Sequence, residues 1–146
     1  MSKKQASVII ACDGSGHSEN VAKTAATLAK ALDLPLKLLT VFPGSRAERL
    51  IISGVWPSDL EEEKKEFGES AFEAASKALK GQTQPDEKIL LQGEPAHEII
   101  EYLDEHPAAH LVMGRRGHSL VKSLTLGSIC EKVVRHASNP VTVVSE

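Results

Sequence analysis

The chain has 146 residues, enough for one domain with its own core and no need of disulfide or metal staples. Its 41% hydrophobic and 25% charged residues are ordinary for a globular protein, and a net charge of −3 offers no general attraction to nucleic acid or an anionic membrane. Cys12 and Cys130 are too few for a disulfide framework and too far apart for a C-x-x-C or metal signature, which argues for a reducing, cytoplasmic setting.

Lys3-Lys4 followed by the apolar run up to Cys12 imitates a lipoprotein signal, but the six residues between Gln5 and Cys12 fall short of the roughly 7–15 apolar residues such a signal uses. Nor does any run reach the roughly 18 apolar residues of a membrane span, so no membrane insertion is expected. Ser7 to Cys12 reads instead as a short buried strand stopping at Asp13-Gly14. Val21, Ala25, Leu28, Ala29 and Leu32 then recur at helical spacing, with Ser18 as N-cap and Pro35 beyond the end. Leu36 to Phe42 gives a second strand. The stretch from Pro43 to Pro57 carries Leu50, Ile51, Ile52, Val55 and Trp56 and reads as a long irregular connection, either a packed flap or a partner surface.

Pro57-Ser58 opens a long polar helix with Leu60, Phe67, Ala71, Ala74 and Ala78 as its buried stripe and Gly81 at its end. Lys88 to Leu91 is a third strand, Pro95 to Leu103 a helix with Pro95 in its first turn, and Ala109 to Met113 a fourth strand. Ser128 to His136 makes the last helix, where Ser128-x-x-Glu131 has the form of a capping box, and Val141 to Val144 makes the last strand. Regular alternation of apolar strands and helices implies a single-domain α/β fold over residues 1–146. It is an open, mostly parallel five-stranded sheet with helices on both faces. Ligands of such sheets bind at the carboxyl ends of the strands near the topological switch point, where Asp13 and Gly114 both fall.

Between the fourth strand and the last helix, Gly114, Gly117 and Gly127-Ser128 fit the pattern G-x2-G-x9-G-[ST]. Glycines let backbone N–H groups approach an anion with no Cβ in the way, and a helix start adds a positive dipole end, so the loop reads as a phosphate cradle. A Walker A loop and a G-x-G-x-x-G fingerprint are both absent. The acid pair and lysine of a phosphoacceptor receiver are missing too, since Asp13 has no acidic neighbour and the last strand ends Val144-Ser145.

These motifs together resemble the universal stress protein family. The likeness rests on a strand ending Cys12-Asp13-Gly14-Ser15, a second ending Thr40-Val41, Met113-Gly114-Arg115-Arg116-Gly117 with Gly127-Ser128, and the tail from Glu131 to Val144. The resemblance covers nearly the whole chain and implies a Rossmann-like fold of the adenine nucleotide alpha hydrolase kind. Members with this glycine pattern bind ATP, with any Mg2+ or Mn2+ carried by the nucleotide. It implies adenine beside the backbone of Ala11, Cys12 and Val41, and the Asp13 carboxylate on the ribose hydroxyls. Charge agrees, because a carboxylate accepts from hydroxyls and repels phosphate. Met113 and Gly114 would border the base or ribose. Gly117, Gly127, Ser128 and Ile129 would offer backbone N–H groups to the phosphates, and Arg115, Arg116 or Lys122 a positive charge, Arg115 ranking first.

The resemblance thus implies a nucleotide-dependent regulatory module read by an unidentified protein partner, dimerising through the last strand at Val141 and Val143. From Gly114 to Ser128 there is no Asp or Glu to orient a water, so hydrolysis is expected to be slow or absent. A weak ATPase and a nucleotide-independent stress protein acting through protein contacts are the alternatives. The six histidines suggest no metal cluster, since His106 and His110 are separated by Pro107 and a strand entry.

Overall fold

The short apolar runs form strands and the amphipathic segments between them form helices, in strict alternation apart from one added helix. The computed structural model describes residues 5–12, 19–115 and 126–145. In chain order they form β1 (Ser7–Cys12), α1 (Glu19–Leu32), β2 (Leu36–Pro43), α2 (Gly44–Ile52), α3 (Pro57–Leu79), β3 (Glu87–Gly93), α4 (Pro95–Glu105), β4 (Ala109–Gly114), α5 (Ser128–His136) and β5 (Val141–Val144). Every strand pairing is parallel, in the order β3-β2-β1-β4-β5. The sheet grows one way through β2 and β3 and the other way through β4 and β5, so the switch point lies between β1 and β4.

Strand side chains alternate between two apolar layers. Val8, Ile10, Leu36, Leu38 and Val112 pack under α1 and α3, while Ile9, Leu39, Val41, Leu111 and Met113 pack under α4 and α5. Both faces are therefore covered, as a parallel sheet requires.

Four local expectations change. Pro43 to Pro57 is not irregular, because Gly44–Ile52 is helical. Its first turn presses close to the end of β3, where a Cβ on Gly44 would stand 3.4 Å from Gly93. In α1 the buried stripe is Val21, Ala22, Ala25, Ala26 and Ala29, with Leu32 51% exposed at the last turn. In α3 the buried residues are Gly68, Ala71, Phe72 and Leu79, so Phe72 and Leu79 replace Leu60 and Ala78 as the apolar anchors. The capping box of α5 does not form: Gly127 is the N-cap, and the Glu131 carboxylate accepts from Arg135 at 2.7 Å, one turn along. Ser18 lies outside the described residues.

The N-cap of α4 is Glu94, whose Oε2 accepts from the His97 N–H at 2.7 Å, with Pro95 in the first turn. Lys132 Nζ lies 3.3 Å from Glu94 Oε1 and ties α5 to this cap. The His97 N–H, and then Lys132, hold the Glu94 carboxyl below its ordinary range. A lowered carboxyl pKa contributes stability above the unfolded value and loses it as pH falls through the folded one. Glu94→Ala is expected to cost about 1 kcal/mol in urea denaturation at pH 7, the usual value of a lost cap, with the difference from the parent narrowing under acid.

Candidate functional site

The switch point assembles two groups of the residues singled out from the sequence. The first lies on the carboxyl ends of the central strands. Ala11 pairs with Leu39 and Cys12 with Thr40 across β1 and β2, while Ile10 pairs with Val112 across β1 and β4. Continued by one and two residues, that register sets Met113 level with Ala11 and Gly114 level with Cys12. Val41 and Met113 are buried and Ala11 half-buried, all three on the α4/α5 face, whereas the Cys12 side chain packs into the opposite layer. Cys12 therefore offers this face its backbone alone.

The second group is the two ends of the glycine loop. The Arg115 N–H donates to the Val144 carbonyl at 3.0 Å, and the Arg115 carbonyl accepts from the Gly127 N–H at 2.9 Å. These two bonds clasp the loop shut at its base and join it to β5. They bring Gly114 and Arg115 beside the start of α5, whose first turn carries Ser128 and Ile129, both exposed. Among the described residues no side chain caps this helix start, so its N–H groups and dipole end suit an anion. Gly127 differs from expectation in one respect. Its own N–H is spent on the clasp, so its contribution to an anion site is the absence of a side chain. Asp13 and Gly117, with Arg116, His118 and Lys122, lie outside the described residues.

Thr40 entered the sequence reading only within the strand end Thr40-Val41, with no role of its own. Leu36, Leu38, Thr40 and Phe42 alternate along one face of β2, and Thr40 is the one hydroxyl in that row, 1% exposed. Its Oγ1 donates to the Cys12 carbonyl at 2.7 Å and so fixes the last peptide of β1. A hydroxyl among the inward-facing positions Leu36, Leu38, Thr40 and Phe42 was the available signal. The thiols are quieter. Cys12 Sγ points back to the Ile10 carbonyl at 3.7 Å, and burial pushes the Cys130 thiol up, keeping it a small protonated apolar group.

The histidines divide among separate partners. His106 stacks on Tyr102 with ring centres 4.0 Å apart and bonds the Tyr102 carbonyl, while His110 Nε2 meets Thr142 Oγ1 at 2.7 Å across β4 and β5. On α4, His97, Glu98 and Glu101 bring donor atoms within 4.8 Å of one another. That grouping follows from helical spacing: His97 Nε2 and Glu101 Oε2 form an exposed i,i+4 pair at 2.7 Å.

Comparison with known proteins bears on the fold and the family. A model of the universal stress protein family matches residues 6–145. The universal stress protein MJ0531 of Methanocaldococcus jannaschii is 32% identical over 139 residues, covering 95% of this chain and 81% of the relative. Among solved structures, the universal stress protein UspA of Lactobacillus plantarum superposes with a TM-score of 0.75 at 20% identity, covering 97% of this chain and 98% of the other, a likeness of fold. A universal stress protein solved in complex with cAMP superposes with a TM-score of 0.63 at 25% identity, over 97% of this chain and 98% of the other. Strand order, glycine spacing and similarity along almost the whole length agree: the chain belongs to the universal stress protein family.

Proposed function

We propose that this protein binds ATP at the carboxyl ends of β1 and β4 and works as a nucleotide-dependent regulatory module of the cytoplasm, with slow or absent hydrolysis. The observation that carries this reading is the clasp between Arg115 and Gly127, which sets a bare helix start beside the ends of the central strands. The apolar side chains of Ala11, Val41 and Met113 suit the face of a purine, and the backbone of Ala11, Cys12 and Val41 suits its edge. Gly117, Ser128 and Ile129 take the phosphates, Arg115 adds positive charge, and Asp13 takes the ribose. The family member solved with cAMP supports an adenine nucleotide as the ligand. Mg2+ or Mn2+ enters on the nucleotide, since the segment from Gly114 to Ser128 holds no carboxylate to bind it.

Asp13→Ala is expected to weaken ATP binding by about 10-fold to 100-fold, the range for hydrogen bonds to a charged group, and to affect 2′,3′-dideoxy-ATP much less. Calorimetry with both ligands decides it: equal losses remove Asp13 from the ribose. Single-turnover assays with labelled ATP and Mg2+ test the regulatory reading, because turnover of many molecules per second would make the protein an ATPase.

The protein is further proposed to dimerise through β5, a sheet edge whose four residues, Val141 to Val144, are each half-buried. Sedimentation at micromolar concentration should give a dimer, weakened by Val143→Lys, and a monomer defeats this assignment.

A further inference from the structure

The turn between α2 and α3 holds large apolar side chains in solvent. Ile52 is 84% exposed, Trp56 73% and Ile51 57%. Trp56 is the chain's single tryptophan, a residue type that is ordinarily well buried. The turn itself is firmly built. The Gly54 N–H donates to the Ile51 carbonyl and the Val55 N–H to the Leu50 carbonyl, both at 3.0 Å, and Gly54 has φ +90. This is a helix stop of the Schellman type, closed at once by the Leu60 N–H on the Trp56 carbonyl at 2.9 Å as α3 begins. Leu50 and Val55 are half-buried while Ile51, Ile52 and Trp56 stand out. Below the turn, Arg46 sits over the Phe42 and Phe67 rings and reaches Glu63 at 3.4 Å, anchoring α2 against α3. The exposed side chains therefore form a preorganised surface.

The charges around it have one dominant sign. Glu48 lies one helical turn before Ile51 and Ile52, Arg49 one turn before Ile52, and Asp59, Glu61 and Glu62 follow Trp56 in the first turns of α3, all exposed. With Arg46 engaged by Glu63, the exposed charged residues from Glu48 to Glu62 are one guanidinium, Arg49, and four carboxylates. An anionic membrane is repelled by such a rim, and a second copy would set carboxylates against carboxylates. An apolar centre with an acidic rim suits a segment that is apolar on one side and basic around it.

We infer that Ile51, Ile52 and Trp56 form a docking surface for a basic amphipathic segment of a partner protein. The surface is independent of the nucleotide reading.

Trp56 fluorescence of the full-length protein tests this directly. An 18-residue Lys/Leu amphipathic peptide should shift Trp56 emission to the blue, saturably and at micromolar concentration. A Glu/Leu peptide of equal length and phosphatidylglycerol vesicles should not. Ile51→Ser combined with Ile52→Ser changes only exposed positions and should weaken the Lys/Leu peptide at least tenfold, through lost apolar burial. Glu61→Lys with Glu62→Lys should weaken it as well and lessen its salt dependence. The inference fails if the Lys/Leu peptide leaves Trp56 unshifted, if the serine variant binds it equally, or if the acidic peptide or the vesicles bind as well. It also fails if sedimentation shows a dimer that the serine variant alone dissolves, for then a second copy is the occupant.

Discussion

Gly127→Val is expected to lower the affinity for ATP by about 100-fold while leaving the melting temperature of the empty protein unchanged. Gly127 has φ −66 and ψ 160, a conformation open to any residue, so the substitution introduces no backbone strain. Its N–H bond to the Arg115 carbonyl is a main-chain bond that valine also makes. What valine adds is a branched side chain at the mouth of the α5 helix start, between the N–H groups of Ser128 and Ile129 and any approaching phosphate. Losing two charge-assisted hydrogen bonds at about 1.5 kcal/mol each accounts for the factor. Calorimetry with ATP and thermal melts without it separate the outcomes. A fall in melting temperature that matches the loss of binding would make Gly127 a structural residue.

Phe42→Ala is expected to cost about 3–5 kcal/mol of stability, the usual loss when a buried phenylalanine is truncated. Phe42 is fully buried next to Val41 at the end of β2, edge-on to Phe67 at 5.4 Å between ring centres, with the Arg46 guanidinium 5.5 Å above it. Its ring thus fastens both α2 and α3 to the strand that carries Val41, a residue of the proposed nucleotide site. Truncation opens a cavity there, leaves Arg46 without one of its two aromatic partners and loosens the strand end at Val41. Urea denaturation measures the cost, and ATP affinity should fall with it even at temperatures where the variant is folded. A cost under about 1 kcal/mol would mean that the helices are held by the rest of the layer.

Much of this was legible in the chain. β1, α5 and β5 have the limits expected from the sequence, because each is a short patterned run bounded by residues that cannot continue it: Asp13-Gly14, Gly127 and Asn139-Pro140. The helix α2 was not legible. It buries only Ala47 and follows a proline, so no apolar stripe announces it, and tertiary support from Gly93, Phe42 and Phe67 holds it in place. The phase of α3 went astray for a related reason. Its alanines are spread around the helix, and only contact with the sheet selects Phe72 and Leu79 over Leu60 and Ala78.

For the site, spacing placed Gly114 and Gly127-Ser128 correctly at a strand end and a helix start, because glycine and chain order constrain both. The clasp through Arg115 is made by main-chain atoms and leaves no mark on residue identity. Likewise the capping box at Ser128 and Glu131 satisfied its pattern, yet Glu131 found a better partner in Arg135, an i,i+4 competitor that the cap motif does not consider.

Adenine nucleotide binding at the loop between Arg115 and Gly127 is the property on which the proposed function stands. It is tested most directly by mass spectrometry of the small molecules released when the protein is denatured after equilibration with equimolar ATP and GTP and rapid gel filtration. ATP should be retained at close to one per chain with little GTP, and retention should be lost in Gly127→Val. Equal amounts of the two nucleotides, or neither of them, would contradict it.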